Sequence, residues 1–241
     1  MIDAVFISDL HLHPDDKGIQ DRFHSFINWA QRSVKKIYIL GDFFHAWPGD
    51  DSINTWSNAI AEQIYTLTQR GIEVYYMTGN RDFLLGSAFA ERAGWTVLTD
   101  PTVITLGNSK VLLVHGDRYC TKDKSHQRFR LLTRNRLFTF VFLKFPLSMR
   151  ERLVTSVRNI SLSNNKPIEQ MDVVNSAVIH HMSKNNTDTL IHGHTHKPGL
   201  TNYSYKKSEL IRYVLSDWDD MPMLLCYDNT KGLYFTQYDT N

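Results

Sequence analysis

The sequence predicts an α/β fold, on two observations. Short runs rich in β-branched and aromatic residues recur at Ala4 to Ser8, Lys36 to Leu40, Val74 to Met77, Val111 to Val114 and Thr189 to Ile191, each closely followed by Gly, Asp, His or Asn. Helix-like stretches, Gln20 to Arg32 and Ser52 to Arg70, separate the first three, which is the alternation of a sheet interleaved with helices. The second helix has Asp51 or Ser52 as its expected N-cap and Gly71 as its stop. From Tyr203 onward, Ile211 to Leu215, Met223 to Cys226 and Leu233 to Tyr238 read as antiparallel strands joined by polar turns such as Asp228 to Gly232. At 241 residues, with 42% hydrophobic and 22% charged residues and only 12 Gly and 7 Pro, the chain excludes disorder and low complexity. It reads as one domain, 1–241, enlarged by an insert.

Two cysteines, Cys120 and Cys226, are too few for a disulfide framework and read as buried thiols of a cytosolic protein. The start, Met1 to Ile7, lacks the basic region of a secretory signal. The longest strongly apolar run, Leu137 to Phe145, falls short of the roughly 20 residues that span a bilayer. Net charge is +2, so an anionic partner must meet a local patch.

One segment provides such a patch. Residues 122–158 hold ten basic and two acidic residues, a local +8 that leaves −6 for the remainder. Phe129, Leu131, Leu132, Leu137, Phe138, Phe140, Val141, Phe142, Leu143, Phe145 and Leu147 are interleaved with these charges. That density describes either a helical cap whose apolar face is core, or a site for something both anionic and greasy.

The chemistry lies in where carboxylate and histidine fall. Asp9-Leu10-His11, Gly41-Asp42, Gly79-Asn80, His115-Gly116 and Gly193-His194-Thr195-His196 each come after one of the apparent strands. Strand ends meet at one edge of a sheet, so these segments bring Asp9, His11, Asp42, Asn80, His115, His194 and His196 together. Oxygen and imidazole donors without thiolate suit Mn, Fe or Zn. Seven donors exceed one ion; two ions sharing a carboxylate use them all and leave positions for water and substrate, the arrangement of two-metal phosphoester hydrolysis.

The ordered series Asp-x-His, Gly-Asp, Gly-Asn, His-Gly-Asp, Gly-His-x-His resembles the calcineurin-like metallophosphoesterase family over residues 1 to about 200. The resemblance implies a sandwich of two mixed β-sheets flanked by helices, with the insert as a helical cap. It implies that Asp9, His11, Asp42 and His196 hold one metal and Asp42, Asn80, His115 and His194 the other, Asp42 bridging, with a coordinated water as nucleophile. Asp117 and Thr195 are candidates for orienting those ligands. His13, His24, His126, His180, His181 and His192 are expected away from the centre, and His45, where the family commonly has a carboxylate, is left open.

Position 81 narrows the substrate. Many family members carry a His after the Gly-Asn, able to protonate an alkoxide; here Arg81 follows. An arginine cannot act as a general acid but grips phosphate oxygens bidentately, so it suits a leaving group that is itself a phosphate. Arg81, the stretch Gly41 to Asp51 and the insert before Met171-Asp172-Val173 resemble one branch of that family, the UDP-2,3-diacylglucosamine pyrophosphatases of lipid A biosynthesis. The resemblance implies attack at the α-phosphorus, release of UMP and 2,3-diacylglucosamine 1-phosphate (lipid X), and two Mn²⁺ per chain. It implies substrate contacts at Asn80, Arg81, Asp123, His194 and Lys166; Asn159 and Ser163, at i and i+4 with Lys166 at i+7, share a helix face and join that set although their identities depart from the branch. A lipid substrate places the protein on the cytoplasmic face of the bacterial inner membrane as a peripheral protein, with Phe138, Phe140, Phe142 and Phe145 near acyl chains, and makes residues 122–166 a lipid-binding insert. No nucleic-acid or obligate protein partner is expected. The rival readings are a dimetal phosphodiesterase acting on nucleic acid or a cyclic nucleotide, and a non-catalytic binding module.

Overall fold

The computed structural model describes residues 1–163, 167–206 and 208–238, without the side chains of 159–163, 168 and 169. Two sheets face each other. The first has strand order β11-β10-β1-β2-β3-β4, formed by β1 (Ala4–Ile7), β2 (Lys36–Ile39), β3 (Glu73–Met77), β4 (Thr96–Leu98), β10 (Leu224–Asp228) and β11 (Gly232–Thr236). β1 to β4 run parallel, and β10 and β11 close one side antiparallel. The second sheet, β5-β6-β7-β9-β8, comprises β5 (Thr102–Leu106), β6 (Ser109–Leu113), β7 (Thr189–His192), β8 (Gly199–Tyr205) and β9 (Ser208–Val214), with β6, β7 and β9 parallel. The expected strand Ile211 to Leu215 is thus β9, in a different sheet from its successors and parallel to β7. Local alternation reveals a strand but not its sheet.

Period-2 alternation sorts β1 between two cores. Val5 and Ile7 face α1 (Lys17–Ser33), α2 (Thr55–Gln69) and α3 (Ser87–Ala93) through Phe23, Ile27, Ile64 and Phe89, while Ala4 and Phe6 face the second sheet with Tyr38, Leu113 and Ile191. The Phe6, Tyr38 and Tyr75 rings stack at 4.9 and 4.8 Å between the sheets. A third cluster joins Leu112, Val114 and Leu190 to Val178 and Met182 of α8 (Asn175–Lys184). The layers run helix, sheet, sheet, helix, as the resemblance implied.

α2 starts later than expected, capped by Asn54 in a reciprocal box with Ser57. Residues 50–52 instead form a short 3₁₀ turn, and the Asp50 carboxylate accepts from Trp47 Nε1 and from the Gly86, Ala88 and Phe89 amides at the head of α3.

The insert is helical as expected: α4 (Lys124–Thr133), α5 (Arg136–Phe142) and α6 (Leu147–Ser163), followed by the single turn α7 (Ile168–Met171). Three of its ten basic residues turn inward. Arg130 binds Asp117 at 3.1 Å, Arg134 donates to Thr78 Oγ1 at 2.7 Å and to its carbonyl at 3.1 Å, and both stand beside Asp100. Arg150 is buried against Asp51 and the Pro48 carbonyl. These arginines clamp the cap to the core and are not an open phosphate track. Removing Arg130 would leave the buried Asp117 carboxylate uncompensated, a loss of about 3–5 kcal/mol.

α8 is anchored by a histidine. Arg118 Nη1 lies 2.9 Å from His181 Nε2 and must donate to it, so the His181 Nδ1–H donates to Tyr119 Oη at 2.8 Å, and only the neutral ring can do both. Burial, then the Arg118 charge, lowers its pKa from 6.5 to about 4. An unfolded chain binds that proton below 6.5, so the contribution to stability is complete above 6.5 and is lost as pH falls toward about 4. Denaturant midpoints measured at about pH 7.5 and about pH 5 should therefore drop on acidification, and His181→Phe should shrink the difference; an equal drop in that variant would place the sensitivity elsewhere.

Candidate metal centre

The carboxyl ends of β1, β2 and β3 in the first sheet and of β6 and β7 in the second converge, so the site spans two sheets, not the single sheet edge expected from strand ends alone. Two clusters form there. Asp9, His11 and His196 bring donor atoms within 4.8 Å of one another, and so do Asp42, His115 and His194. Asp42 stands between them, with Oδ2 3.5 Å from His11 Nε2 and Oδ1 3.7 Å from His115 Nε2. Asn80 Oδ1 lies 2.8 Å from His115 Nε2. All seven expected donors meet.

The backbone is bent to achieve this. Asp9, His11, Asp42, His194 and His196 all have left-handed φ, between 51° and 71°, a conformation costing about 1–3 kcal/mol at a non-glycine residue and found at functional sites. Glycines give the turns clearance. A Cβ on Gly79 would lie 2.0 Å from Asp42 Oδ1, and one on Gly193 would lie 2.2 Å from Asp9 Oδ2. Hydrogen bonds then aim the donors. Ser8 Oγ (2.5 Å) and the His194 amide (2.8 Å) both donate to Asp9 Oδ2, which turns Oδ1 toward His196 Nε2 at 3.5 Å. His115 Nδ1–H donates to the Leu40 carbonyl at 2.9 Å, leaving Nε2 to face Asp42.

Charge is tightly balanced. Burial pushes the carboxyls of Asp9 and Asp42 up, yet neighbouring histidines pull harder, Asp9 falling to about 2 and Asp42 well below the ordinary range. Burial opposes the His115 imidazolium, but Asp42, Asp9 and Asp117 hold its pKa up at about 9. That proton does the work of a cation, and a divalent ion would displace it. The residues present fit such ions. Asp9 Oδ1 and His11 Nε2 are buried and lack a hydrogen-bond partner among the described residues, and the donor set is carboxylate and imidazole.

Residues 3–198 match the sequence model of the Calcineurin-like phosphoesterase family. The chain belongs to that family. Curated relatives called UDP-2,3-diacylglucosamine hydrolase are similar along nearly the whole length. That of Pseudomonas putida is 40% identical over 217 residues, covering 89% of this chain and 90% of the relative; that of Pseudomonas aeruginosa is 40% identical over 218 residues, covering 90% and 91%. The protein of Stutzerimonas stutzeri is 38% identical over 217 residues, again covering 89% and 90%.

Around this calcineurin-like centre the other expected residues divide. Arg81 joins it: its amide donates to Asp42 Oδ1 at 2.9 Å and its Nε lies 3.3 Å from Oδ2. Asp123 sits at the head of α4, where Oδ1 accepts from the His126 amide at 3.0 Å. Asn159 and Ser163 fall on α6, but their side chains, and all of Lys166, lie outside the described residues. Asp117 faces Arg130 of the cap, and Thr195 enters through its amide, which donates to the Gly193 carbonyl.

Two histidines, His126 and His13, depart from expectation, and His45, left open by the sequence, joins His13. His126 on α4 packs its ring 5.2 Å from that of His194, which brings the cap onto the centre, and His13 and His45 pair at 4.9 Å beside His11. Two carboxylates were missed. Buried Asp82 accepts from the Gly79 (2.7 Å), Phe43 (2.7 Å) and Asp42 (3.3 Å) amides, fixing two donor loops together. Asp217 Oδ2 lies 3.1 Å from His196 Nδ1. It follows β9 as the expected donors follow their strands, which was the one signal available.

Asp217 thus orients His196 through its far nitrogen, a contact whose loss typically costs 10–100-fold in metal affinity. Asp217→Ala should weaken binding of a divalent cation by about that factor in calorimetry; unchanged affinity would show that His196 is held by other groups.

Proposed function

We propose that the chain hydrolyses the diphosphate of UDP-2,3-diacylglucosamine at the α-phosphorus, releasing UMP and 2,3-diacylglucosamine 1-phosphate, a step of lipid A biosynthesis. The observation that carries this reading is a two-cluster donor set with Arg81 against its central carboxylate and a cap with an exposed apolar face joined to the same loops. Asp9, His11, Asp42 and His196 would hold one Mn²⁺, and Asp42, Asn80, His115 and His194 the other. The ions, when bound, supply an activated water and neutralise charge on the phosphoryl oxygens. This chain's residues do the rest. Asp42 fixes Arg81 through both its amide and its Nε, so the guanidinium is in place before substrate arrives. Its charge stabilises a departing phosphate, which needs no proton. Asn80 and His194 would border the same phosphate, and Asp123, at the head of α4, would stand beside the sugar. Asn159, Ser163 and Lys166 would extend that surface along the insert.

The cap supports a lipid substrate. Leu137 and Phe140 are 71% and 61% exposed, and Leu131, Val141, Leu143 and Phe145 are exposed beside them, whereas Phe138 and Phe142 stack on each other at 5.5 Å and turn partly inward. Among the described residues no helix is long and apolar enough to cross a membrane. The exposed face and its flanking Arg136 and Lys144 instead suit the surface of the cytoplasmic leaflet of the inner membrane. A nucleic-acid phosphodiesterase is disfavoured because Arg130, Arg134 and Arg150, three of the segment's basic residues, are bound inward.

UMP release from UDP-2,3-diacylglucosamine in mixed micelles should require Mn²⁺ after chelation, vanish in Asp42→Ala, and fall about 10²–10³-fold in Arg81→Ala. No UMP, with metal-dependent cleavage of an aryl phosphodiester, would keep the centre and overturn the substrate. In a separate assay, vesicles of anionic lipid should co-sediment the wild type and release Leu137→Glu/Phe140→Glu; equal sedimentation of both would remove this face from membrane contact.

A further inference from the structure

A cavity of about 490 Å³ opens beside the Asp9, His11 and His196 cluster and reaches His13, Lys17, His45, Arg81 and Arg158. The volume lies within the ~300–1,000 Å³ of small-molecule sites. On the other side of the centre, α4 stands over His194 through His126. We infer that this cavity receives the nucleotide half of the substrate, with the His13 and His45 rings as the seat of the base, while the sugar and acyl chains lie toward the cap. The inference rests on the reading that a UDP-linked lipid is the substrate.

Chemistry separates the two halves. Among the described residues that line the cavity Ile19 is the sole aliphatic one; the others are imidazole, carboxylate, ammonium and guanidinium. An acyl chain gains about 0.8 kcal/mol per buried CH₂ only against apolar surface, and that surface lies on the cap at Leu131, Leu137, Phe140 and Val141. A pyrimidine nucleotide has the opposite needs: a flat ring with a polar edge, two ribose hydroxyls and one phosphate. His13 and His45 meet edge to face at 4.9 Å and 65°, offering a ring surface and ring nitrogens together. Asp15 and Asp219 supply acceptors for the hydroxyls, and Lys17 a cation.

The seat is built in advance. The His45 amide donates to the Leu12 carbonyl at 3.0 Å, and Arg158 of α6 donates to the His45 carbonyl. His13 follows Leu12 directly, so this bridge sets the spacing of both rings. Arg81 borders the cavity where it meets Asp42, the place at which the two halves of a diphosphate would join.

The test uses the Mn²⁺-loaded full chain and three probes: UMP, inorganic phosphate and 2,3-diacylglucosamine 1-phosphate. Three variants are compared with wild type: His13→Ala/His45→Ala, the milder His13→Gln/His45→Gln, and Lys17→Gln on the exposed start of α1. Expected is at least a tenfold rise in the inhibition constant of UMP in the alanine pair and a smaller rise in the other two. Phosphate and lipid-product inhibition should stay within twofold, and KM should rise more than kcat falls. Unchanged UMP inhibition in all three variants overturns the inference. So does weakened binding of the lipid product instead, which would assign the cavity to the sugar half, and so does equal weakening of phosphate, which would make the rings props of the metal centre. Wild-type protein that releases no UMP from UDP-2,3-diacylglucosamine would fell the substrate reading itself, whereas intact release with unaltered UMP inhibition fells the cavity assignment alone.

Discussion

The Asp42 carboxylate is the point on which the rest of this structure turns. It is 1% exposed, faces an imidazole with each oxygen, and also receives the Arg81 amide and guanidinium. An isolated carboxylate at such depth is prohibitively costly. Here Asp9 and Asp82 are buried beside it, which raises the demand for positive charge. Burial and the Asp42 charge together push the Asp82 carboxyl up, while Asp42 itself is held down by His115 and His11. One excess of negative charge therefore explains the raised imidazole of His115, the placement of Arg81 and the fit to divalent cations.

Holding that charge requires backbone that folding alone would avoid. Five donors occupy left-handed conformations at the ends of parallel strands, and the glycines before Asp42, Asn80 and His194 allow the loops to pass within contact of one another. The two packed sheets supply the stability against which this strain is set. Phe6, Tyr38 and Tyr75, stacked along the first sheet, pack into one cluster with Leu113, Ile191 and Tyr213 of the second, and Asp82 ties the loops after β2 and β3 into a single unit. Local strain supported by a rigid scaffold is the usual state of a reactive site.

The cap follows a related logic. Its arginines are drawn inward to Asp100, Asp117, Asp51 and backbone carbonyls, so much of the positive charge serves attachment, and what remains outermost on α5 is apolar. Because Arg134 bonds Thr78, next to Gly79 and Asn80, and Arg158 bonds His45, cap and metal loops share their restraints. Substrate held by the cap is thereby held in register with the donors. The polar cavity, which α6 reaches through Arg158, sets a hydrophilic pocket beside the apolar face of α5.

Sequence alone determined the α/β character, the five strand ends and the seven side chains that converge there, because strand runs and the residues directly after them are local patterns with a short physical range. The helical nature of the insert and its apolar surplus were equally legible. Tertiary structure decided what depended on distant partners. That β9 joins β7 in a second sheet, and that the donors straddle two sheets, follows from pairing across more than twenty residues. Arg130, Arg134 and Arg150 were indistinguishable from free cations until their buried carboxylates and carbonyls appeared beside them. Asp82 and Asp217 carry no motif of their own, and His13, His45 and His126 looked like scattered histidines. Their significance comes from proximity, which only the packed chain supplies: a ring 4.9 Å from another ring, or a carboxylate 3.1 Å from an imidazole, is a property of the fold and not of the string.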